Sequence, residues 1–312
     1  MSIFVFRNEV SDGARELAMA LGGRKVRFSE RHGGLYFKRQ NGERVRVRPA
    51  AADVLVCWGE AAPRAAGARI LNGSAIRNKF TDAQTLRAAG VPTVEVSQTL
   101  PRVAPAPPPI DPAIAAFNEV RELIGDFPGD FARNRVVQDG VTQLLQRAEV
   151  LNQALRLPAP AARPEAQAVW LGRMNNHVGG TDLLNPPARP DFYVKKLDLV
   201  REFRIHSFCG RSIRAGVKGG REGFVGQRNP WIRSYDAGWS IHYDGVAATQ
   251  PMRELAHRAV NALGLNFGAV DIGETQDRQL VVLEVNRAPG LEGGTVTRYS
   301  NAILRWANNE LD

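Results

Sequence analysis

The chain has 312 residues, which is enough for two domains or for one large α/β domain. Apolar residues make up 44% of it and charged residues 23%, so a packed globular protein is expected and a disordered chain is excluded. Its apolar runs are too short for a membrane span, which excludes an integral membrane protein, and its formal charge of +9 favours anionic partners.

The first residues and the cysteines bear on the cellular compartment. The chain opens without the basic and then apolar segments of a secretory signal, so we expect a cytoplasmic protein. Cys57 and Cys209 are the two cysteines, and each lies in an apolar run that is typical of a strand. We therefore predict that both are reduced core residues and that they form no disulfide.

Strand and helix patterns alternate over the first 50 residues. Residues 2–8 are typical of a buried strand, and residues 11–23 are typical of a helix that Ser11 can cap. Asn41 and Gly42 stand between two strand-like runs, where they predict the turn of a β-hairpin.

A second strand–helix–strand pattern follows. Residues 52–59 form an apolar run that ends in glycine and predicts a strand. Thr81 can cap the next helix, Gly90 can end it, and Pro92 follows. This alternation predicts an α/β domain with a largely parallel sheet over residues 1–95.

Positive charge is concentrated near the start of the chain. Residues 1–50 hold eleven Lys and Arg against five Asp and Glu, which places +6 of the total +9 in the first sixth of the chain. Such a field favours a nucleotide, an acidic peptide or a nucleic acid as partner. The alternative is a solvated basic surface without a partner, since Arg outnumbers Lys throughout the sequence.

The composition changes in the middle of the chain. Two proline-rich stretches enclose a helix-forming block at residues 112–156, which predicts an inserted or capping helical element. We therefore expect three parts: an N-terminal α/β domain at 1–98, a Pro-flanked helical insertion at 99–167, and a strand-rich region at 168–312.

A predicted hairpin near the end of the chain carries a pattern of polar side chains. Glu284 and Asn286 are two residues apart on its second strand, so they project from one face, and strand pairing can set Asp271 beside them. Carboxylate and amide oxygens on rigid strands suit Mg²⁺ that is bound together with nucleotide phosphates. The alternative is the exposed polar face of an edge hairpin.

Cations and glycines form a second pattern. Lys79 opens a predicted helix, Arg173 ends a predicted strand, and a loop with Gly179 and Gly180 follows. Cations at strand ends beside a glycine loop can enclose a polyphosphate. The common nucleotide motifs G-x-x-x-x-G-K-[ST] and G-x-G-x-x-G are absent from the sequence.

Together these motifs resemble the ATP-grasp superfamily, which includes D-alanine–D-alanine ligases and ribosomal-protein glutamate ligases. The hairpin at 267–290 carries the most specific part of the resemblance, and the segment 71–96 resembles the helix that a phosphate-binding lysine opens. The resemblance covers roughly 169–300 well and the earlier chain loosely, and the block at 100–166 has no counterpart in it.

The resemblance implies a mixed α/β (α+β) ATP-grasp fold with an N-terminal pre-ATP-grasp domain. It implies ATP and Mg²⁺ as cofactors, with Mn²⁺ as an alternative metal. Asp271, Glu284 and Asn286 match the metal ligands, and Arg204, Arg214 and Asn286 match residues that act near the phosphates or the acyl phosphate. The matching nucleotide-binding residues are Lys79, Arg173, Gly179, Gly180, Lys195, Lys196, Leu197 and Glu202.

Two positions depart from the pattern of the superfamily. Arg173 stands where these proteins usually have a second lysine, and the two side chains differ in geometry although they share a charge. Lys195 stands where a glutamate often meets the adenine amino group, which leaves the backbone of Lys196 and Leu197 to contact the adenine.

The resemblance implies a ligase that transfers the γ-phosphoryl group of ATP to a carboxylate, after which an amine attacks the acyl phosphate. The substrates would be a peptide, a protein tail or an anionic small molecule, and the protein can be a homo-oligomer. An ATP-grasp phosphotransferase or thiol ligase would share the same ATP residues. A third reading is a nucleic-acid-binding protein with regulatory ATP binding.

An aromatic segment leaves two readings open. Residues 228–240 mix arginines with Trp231, Tyr235 and Trp239. We favour the packing of these rings on a strand over a surface that stacks nucleic-acid bases.

Overall fold

The computed structural model describes residues 1–31, 34–63, 67–74, 78–101, 146, 168–175, 181–184 and 187–311. Within them, the stretches from Met1–Leu100 and Trp170–Asp312 belong to one compact unit. The helical block at 112–156, apart from residue 146, and the loop with Gly179 and Gly180 lie outside the described residues. The division into three domains and the roles of these segments therefore stay predictions.

The N-terminal part is a six-stranded sheet with the strand order β4-β3-β2-β1-β5-β6. The pairs β1–β2, β1–β5 and β5–β6 are parallel, whereas β2–β3 and β3–β4 are antiparallel. The expected parallel sheet is thus extended by an antiparallel hairpin. The strands are β1 (Ile3–Phe6), β2 (Arg24–Ser29), β3 (Gly34–Lys38), β4 (Arg44–Val47), β5 (Val54–Cys57) and β6 (Arg69–Leu71).

The first helix, α1 (Asp12–Ala20), begins and ends where its sequence predicts. The Ser11 side chain accepts a hydrogen bond from the Ala14 amide and so satisfies one of the free N–H groups of the first turn. Gly22 has a φ of +60°, a left-handed conformation that glycine adopts without strain.

The second helix, α2 (Lys79–Ala88), begins three residues earlier than a cap at Thr81 requires. Asn78 caps it instead: its backbone is extended and its side chain accepts a hydrogen bond from the Thr81 amide. The predicted cap at Thr81 is therefore wrong. Both residue types can cap a helix, and the asparagine comes first in the chain, which places Lys79 at the first helical position.

A five-stranded antiparallel sheet and a three-stranded antiparallel sheet form the other described sheets of the compact unit. The three-stranded sheet has the order β7-β9-β8, from β7 (Val96–Ser97), β8 (Trp170–Arg173) and β9 (Phe192–Lys195). The five-stranded sheet has the order β12-β11-β10-β13-β14, from β10 (Leu199–Phe208), β11 (Arg211–Gly220), β12 (Trp239–His242), β13 (Phe267–Thr275) and β14 (Leu280–Asn286). The described helices beyond α2 are α3 (Thr181–Leu184), α4 (Gln250–Ala262) and α5 (Thr295–Ala307).

The five-stranded sheet has one apolar face and one polar face, because successive side chains of a strand point to opposite sides. Ile205 of β10 and Val270 and Ile272 of β13 are fully buried in one core cluster with residues of α4, such as Ala256. The alternate positions on these strands include Glu202, Arg204 and Asp271. The sheet therefore presents these charged side chains to the opposite side.

Helix α5 connects this sheet to the N-terminal sheet through a second core cluster. Tyr299 and Ile303 of α5 are fully buried there, together with Trp58, which follows β5. The Trp58 ring stacks on Phe267 of β13 with ring centroids 5.3 Å apart. The N-terminal sheet is thus fixed against the strands that carry the predicted metal site.

The cysteine predictions hold for Cys57 and in part for Cys209. Both thiols are free, and Cys57 is buried in β5. Cys209 instead lies half-buried in the turn between β10 and β11, with a φ of +41°, and not in a strand. Among the described residues, no helix combines the length and hydropathy that a membrane crossing requires.

The predicted strand packing of the aromatic segment is wrong for Trp231 and Tyr235. Both lie in the loop between β11 and β12, and their exposed fractions are 66% and 65%. Asn229 shapes this loop, because its side chain accepts hydrogen bonds from the amides of Trp231 and Ile232. Of the three aromatic residues, Trp239 alone begins a strand.

Candidate functional site

The predicted metal ligands meet on the polar face of the five-stranded sheet. Arg204 of β10 pairs with Asp271 of β13, and Asp271 pairs with Glu284 of β14, so the three form a row across three strands. Asn286 lies two residues beyond Glu284 on the same face. The predicted hairpin and the facing of these side chains are present in the structure.

Short contacts join the members of this group. Arg204 donates two parallel hydrogen bonds to Asp271, from Nε to Oδ1 at 2.7 Å and from Nη2 to Oδ2 at 2.8 Å. Asn286 Nδ2 lies 3.1 Å from Glu284 Oε1 and 3.4 Å from Asp271 Oδ2. The amide therefore bridges the two carboxylates.

Lys79 reaches the same group from α2. Its Nζ lies 2.9 Å from Glu284 Oε2, although the two residues are 205 positions apart in the chain. About a third of each side chain is exposed, so the pair stands at the edge of the group and Asp271 lies deeper.

Both carboxylates are held in their charged form. Burial acts to raise the pKa of Asp271, but the adjacent Arg204 guanidinium outweighs burial and leaves that pKa below its usual range. The same balance lowers the pKa of Glu284, where the Lys79 ammonium supplies the opposing charge. Asp271 in turn raises the pKa of Arg204.

These residues lie on the wall of a cleft with a volume of about 560 Å³. Its walls come from α2, the three-stranded sheet and the polar face of the five-stranded sheet, so it lies within the compact unit. The structure brings ten of the predicted site residues together there: Lys79, Arg173, Lys195, Lys196, Leu197, Glu202, Arg204, Asp271, Glu284 and Asn286.

The two predicted departures have defined partners in the cleft. Arg173 Nε donates to Asp182 Oδ2 at 2.8 Å, and the Asp182 side chain is only 3% exposed. Lys195 Nζ lies 2.9 Å from Glu95 Oε1. The superfamily pattern has a carboxylate at position 195, whereas here position 195 is a cation and its carboxylate partner is Glu95. The neighbouring Lys196 ammonium lies 3.3 Å from the centroid of the Trp231 ring.

The sequence reasoning missed two cations that hold Glu202. Lys218 Nζ lies 2.7 Å from Glu202 Oε2, and Arg233 Nε lies 3.6 Å from its other oxygen. The side chain of Glu202 is 7% exposed, so this carboxylate depends on both cations for compensation. Strand alternation could have found Lys218, which lies four residues beyond Arg214 and so on the same face of β11.

Arg214 is a predicted site residue that does not line the cleft. Its guanidinium donates to the carbonyl oxygens of Glu292 and Gly293, in the loop that follows the metal-site hairpin, and to the hydroxyl of Thr295, the first residue of α5. It also lies 3.8 Å from the centroid of the Tyr243 ring. Arg214 thus supports the end of the cleft, because Glu292 lines it.

Two residues beyond Arg204 on β10, His206 is fully buried between two tyrosines. Its Nδ1 lies 3.2 Å from the Tyr299 hydroxyl and its Nε2 lies 3.1 Å from the Tyr243 hydroxyl. Burial, followed by the positive charge of Arg204, lowers the pKa of His206 to about 3. The imidazole is therefore neutral at physiological pH and acts as a hydrogen-bonding spacer.

Cations exceed carboxylates on the cleft wall. Among the described residues, seven Lys and Arg side chains line it against five Asp and Glu, which leaves an excess of two positive charges. Such an excess on concave walls attracts a polyphosphate. The cations are Lys79, Arg173, Lys195, Lys196, Arg204, Lys218 and Arg233, and the carboxylates are Asp82, Glu202, Asp271, Glu284 and Glu292.

The donor set fits Mg²⁺ that is held jointly with phosphates. Asp271 and Glu284 are two charged oxygen donors at facing strand positions, and Asn286 supplies a third once its amide turns its oxygen inward. In the part of the chain that the structure describes, no three His, Cys, Asp or Glu residues cluster as a metal cage. Two carboxylates and an amide are the smaller set that Mg²⁺ accepts when phosphate oxygens and waters complete its shell.

Comparisons with known sequences give a partial match. No family profile matches the chain. Over 99 residues the chain is 38% identical to a probable α-L-glutamate ligase of Coxiella burnetii. The matched residues cover 30% of this chain and 32% of the relative. The match thus spans about a third of the length of the curated relatives.

Solved structures align over almost the whole chain. The ATP-grasp ligase PsnB in complex with a minimal precursor aligns with a TM-score of 0.52 at 14% identity, over 97% of this chain and 99% of PsnB. PsnB bound to a phosphomimetic variant of its minimal precursor, Mg and ADP aligns with a TM-score of 0.50 at 13% identity, over 97% and 98% of the two chains. D-alanyl-alanine synthetase A of Vibrio cholerae aligns with a TM-score of 0.52 at 12% identity, over 99% and 98%. The chain therefore has the ATP-grasp fold, as its motifs predict.

Proposed function

We propose that this ATP-grasp protein is a Mg-ATP-dependent ligase, which joins a carboxylate to an amine through an acyl phosphate. The observation that carries the proposal is the row of Arg204, Asp271 and Glu284 on the wall of a cleft with excess positive charge. Phosphoryl transfer asks the protein mainly for positioning and charge neutralisation, and the described cleft offers both.

The charged residues would divide into two groups when the substrates bind. Asp271, Glu284 and Asn286 would hold Mg²⁺, which neutralises the phosphates and holds them in line for transfer. Lys79 and Arg204 now compensate the two carboxylates at 2.9 and 2.7 Å, and each would turn toward the phosphates when the metal takes over that compensation. Arg173 would add a further phosphate contact.

The other end of the cleft would hold the nucleoside. The backbone of Lys196 and Leu197 would contact the adenine, and Glu202 would accept hydrogen bonds from the ribose hydroxyls. A carboxylate has about four acceptor sites, so Glu202 can keep Lys218 while it binds the ribose. Lys195 would lie near the adenine as a cation, where other members use a glutamate.

The similar proteins support substrates that are peptide-like or small molecules. PsnB is a ligase described in complex with precursors, the Coxiella relative is described as a probable glutamate ligase, and the Vibrio protein is described as a D-alanyl-alanine synthetase. For this chain we propose a peptide, a protein tail or an anionic small molecule as the carboxylate.

Two other functions would use the same cleft differently. An ATP-grasp phosphotransferase or thiol ligase would share each ATP contact and differ in the acceptor. A nucleic-acid-binding protein with regulatory ATP binding would use the basic N-terminal region and would not turn over ATP. The two charged carboxylates at the cleft favour turnover over regulation, because they provide the charge that Mg²⁺ requires.

The experiment is an ADP-release screen with the full chain, Mg²⁺ or Mn²⁺, and a panel of carboxylates that includes acidic peptides, glutamate and D-alanine. Each active carboxylate is then paired with amines and thiols, and the product mass identifies the nucleophile. We expect ADP release that needs both a carboxylate and the metal. A product with a new phosphate ester or thioester would assign a different acceptor, and no metal-dependent ADP release with any carboxylate would contradict the proposal.

A further inference from the structure

One face of the N-terminal sheet carries cations on three neighbouring strands. Arg27 of β2 pairs with Tyr36 of β3, and Tyr36 pairs with Arg46 of β4, while Lys38 faces Arg44. We call the cations on this side the basic face. It consists of Lys25, Arg27, Lys38, Arg44, Arg46 and Arg48.

The arrangement keeps like charges next to each other. Lys38 and Arg44 stand directly opposite on neighbouring antiparallel strands, a placement that opposes strand pairing. Burial and then the positive charge of Arg27 lower the pKa of Lys25, so this cation also feels its neighbours.

Protection of a sheet edge explains only part of this charge. β4 is the last strand of the sheet order, and charged side chains on such a strand discourage the pairing of sheets from different molecules. Arg44 and Arg46 are sufficient for that purpose. Lys25 and Arg27 lie on β2, two strands further in, where they protect no edge.

The open edge beside the basic face points to one kind of occupant. Since β4 pairs only with β3 among the described strands, its outer backbone groups can pair with an added strand. Arg44, Arg46 and Arg48 are exposed at alternate positions, so their spacing along the chain is roughly 7 Å. A segment with an acidic residue at alternate positions has the same spacing.

We propose that β4 and the basic face dock an extended acidic peptide, which adds to the sheet as a seventh strand and places alternate Asp or Glu side chains against Arg44, Arg46 and Arg48. This surface is separate from the ATP cleft, and its role does not depend on the ligase proposal. A cavity of about 320 Å³ at the end of β4 has Arg46 and Arg48 on its walls together with Leu35 and Val47. It fits a Glu side chain, whose methylene groups are apolar and whose end is charged.

A nucleic acid fits this surface less well. Proteins that bind single strands combine cations with aromatic rings on which bases stack. The aromatic ring of the basic face is Tyr36, and the Arg44 guanidinium covers it at 5.3 Å from the centroid. An open strand edge can form a ladder of backbone hydrogen bonds with a peptide. A nucleic acid has no peptide backbone and cannot form this ladder.

Fluorescence anisotropy with the full chain tests the proposal through three labelled probes: a ten-residue peptide that alternates Glu and Thr, a peptide of the same composition with its five Glu contiguous, and a ten-nucleotide oligothymidylate. We expect the alternating peptide to bind tightest. Methylation of its alternate backbone amides, on the side that would face β4, should weaken binding about tenfold, since strand addition needs those N–H groups.

The matched variants are Arg44→Glu/Arg46→Glu on the basic face and Arg298→Glu/Arg305→Glu on α5, which change the net charge equally. The first pair should weaken peptide binding about tenfold or more, and the second should leave it within about twofold, because attraction turns into repulsion only at the docking surface. Arg44→Gln/Arg46→Gln gives the same test with a smaller loss if charge reversal unfolds the protein.

Three outcomes would overturn the proposal. Equal losses in both arginine pairs would mean that the peptide responds only to overall charge. Unchanged binding of the methylated peptide would exclude strand addition. Tighter binding of the oligothymidylate than of either peptide would assign the surface to nucleic acid.

Discussion

The cleft and the basic face differ in which charges stand next to each other. The cleft carboxylates of Glu202, Asp271 and Glu284 each have a cation within 2.9 Å, whereas on the basic face Lys38 stands opposite Arg44. Buried charges must be compensated for the protein to fold, so ion pairs in the cleft serve stability as well as function. Exposed like charges lower stability slightly and therefore indicate a partner more directly. The cleft pairs are Arg204 with Asp271, Lys79 with Glu284, and Lys218 with Glu202.

The largest effect should follow from a change to the metal-site hairpin. Glu284→Gln keeps the shape of the side chain and removes its charge, so Mg-dependent ATP turnover should fall by about a hundredfold or more. Glu284 suits this test because a third of its side chain is exposed, so water can solvate Lys79 after the change. Asp271→Ala should abolish turnover as well.

The melting temperature of each variant is the control, because it shows whether the variant still folds. Asp271→Ala leaves the Arg204 guanidinium buried without its carboxylate, which costs about 3–5 kcal/mol, so loss of activity in that variant must be read together with its melting temperature. Turnover near the wild-type level in a folded Glu284→Gln protein would show that the hairpin holds no essential metal.

His206 is a third case, because its buried side chain is neutral although charged and titratable groups surround it. Its folded pKa of about 3 lies below the unfolded value of 6.5, so the unfolded chain binds the extra proton at intermediate pH. Stability is therefore lost as the pH falls from 6.5 toward 3, by about 2 kcal/mol at pH 5. The neighbouring groups are Arg204, Asp271, Arg214, Tyr243 and Tyr299.

Urea unfolding at pH 7 and pH 5 measures this loss in wild type and in His206→Gln, which can still donate and accept hydrogen bonds. The variant should lose about 2 kcal/mol less between the two pH values than the wild type. His242→Gln is the matched control, because His242 is exposed, and it should follow the wild type. Identical pH dependence in all three proteins would contradict a buried neutral imidazole.

The phosphate cations should give a smaller effect on nucleotide binding. Lys79→Ala and Arg173→Ala should each weaken ATP affinity about tenfold, since each removes a charge-assisted contact to phosphate. Arg173→Lys restores the residue that the superfamily usually has and should retain part of the affinity. Unchanged affinity in both alanine variants, measured by calorimetry, would place the nucleotide elsewhere.

Local patterns in the sequence predict the hairpin part of the site well. Period-two alternation is sufficient to place Glu284 and Asn286 on one face, and a short turn is sufficient to bring Asp271 beside them. Motif resemblance was needed for Lys79, because its contact with Glu284 joins residues 205 positions apart. Similar motifs suggested Arg214, but the side chain turned to a loop whose path the sequence does not specify.

Loops account for most of the remaining errors. The composition around Trp231 resembles an aromatic strand, yet Asn229 and Pro230 turn the chain there, and the side chain of Asn229 takes over the hydrogen bonds. Lys218 was missed because a single cation on a strand has the pattern of a solvated face. Its function depends on Glu202, which only the folded sheet brings within 2.7 Å.

The smallest effect should come from the basic face. Lys38→Thr removes the cation opposite Arg44 and should raise the free energy of unfolding by about 0.2–1 kcal/mol. Arg39→Thr on the same hairpin removes a cation that pairs with Glu43 at 2.9 Å, so it should be neutral or slightly destabilising. If urea unfolding showed equal destabilisation by both changes, repulsion between Lys38 and Arg44 would not lower the stability of the protein.

The central claim is that the cleft binds ATP together with Mg²⁺, and calorimetric titration with a non-hydrolysable ATP analogue tests it most directly. In wild type, Mg²⁺ should tighten analogue binding about tenfold or more, because Asp271 and Glu284 then hold the metal against the phosphates. In Glu284→Gln this gain should largely disappear while binding without metal remains. Equal affinity with and without Mg²⁺ in the wild type, or an equal gain in both proteins, would contradict the claim.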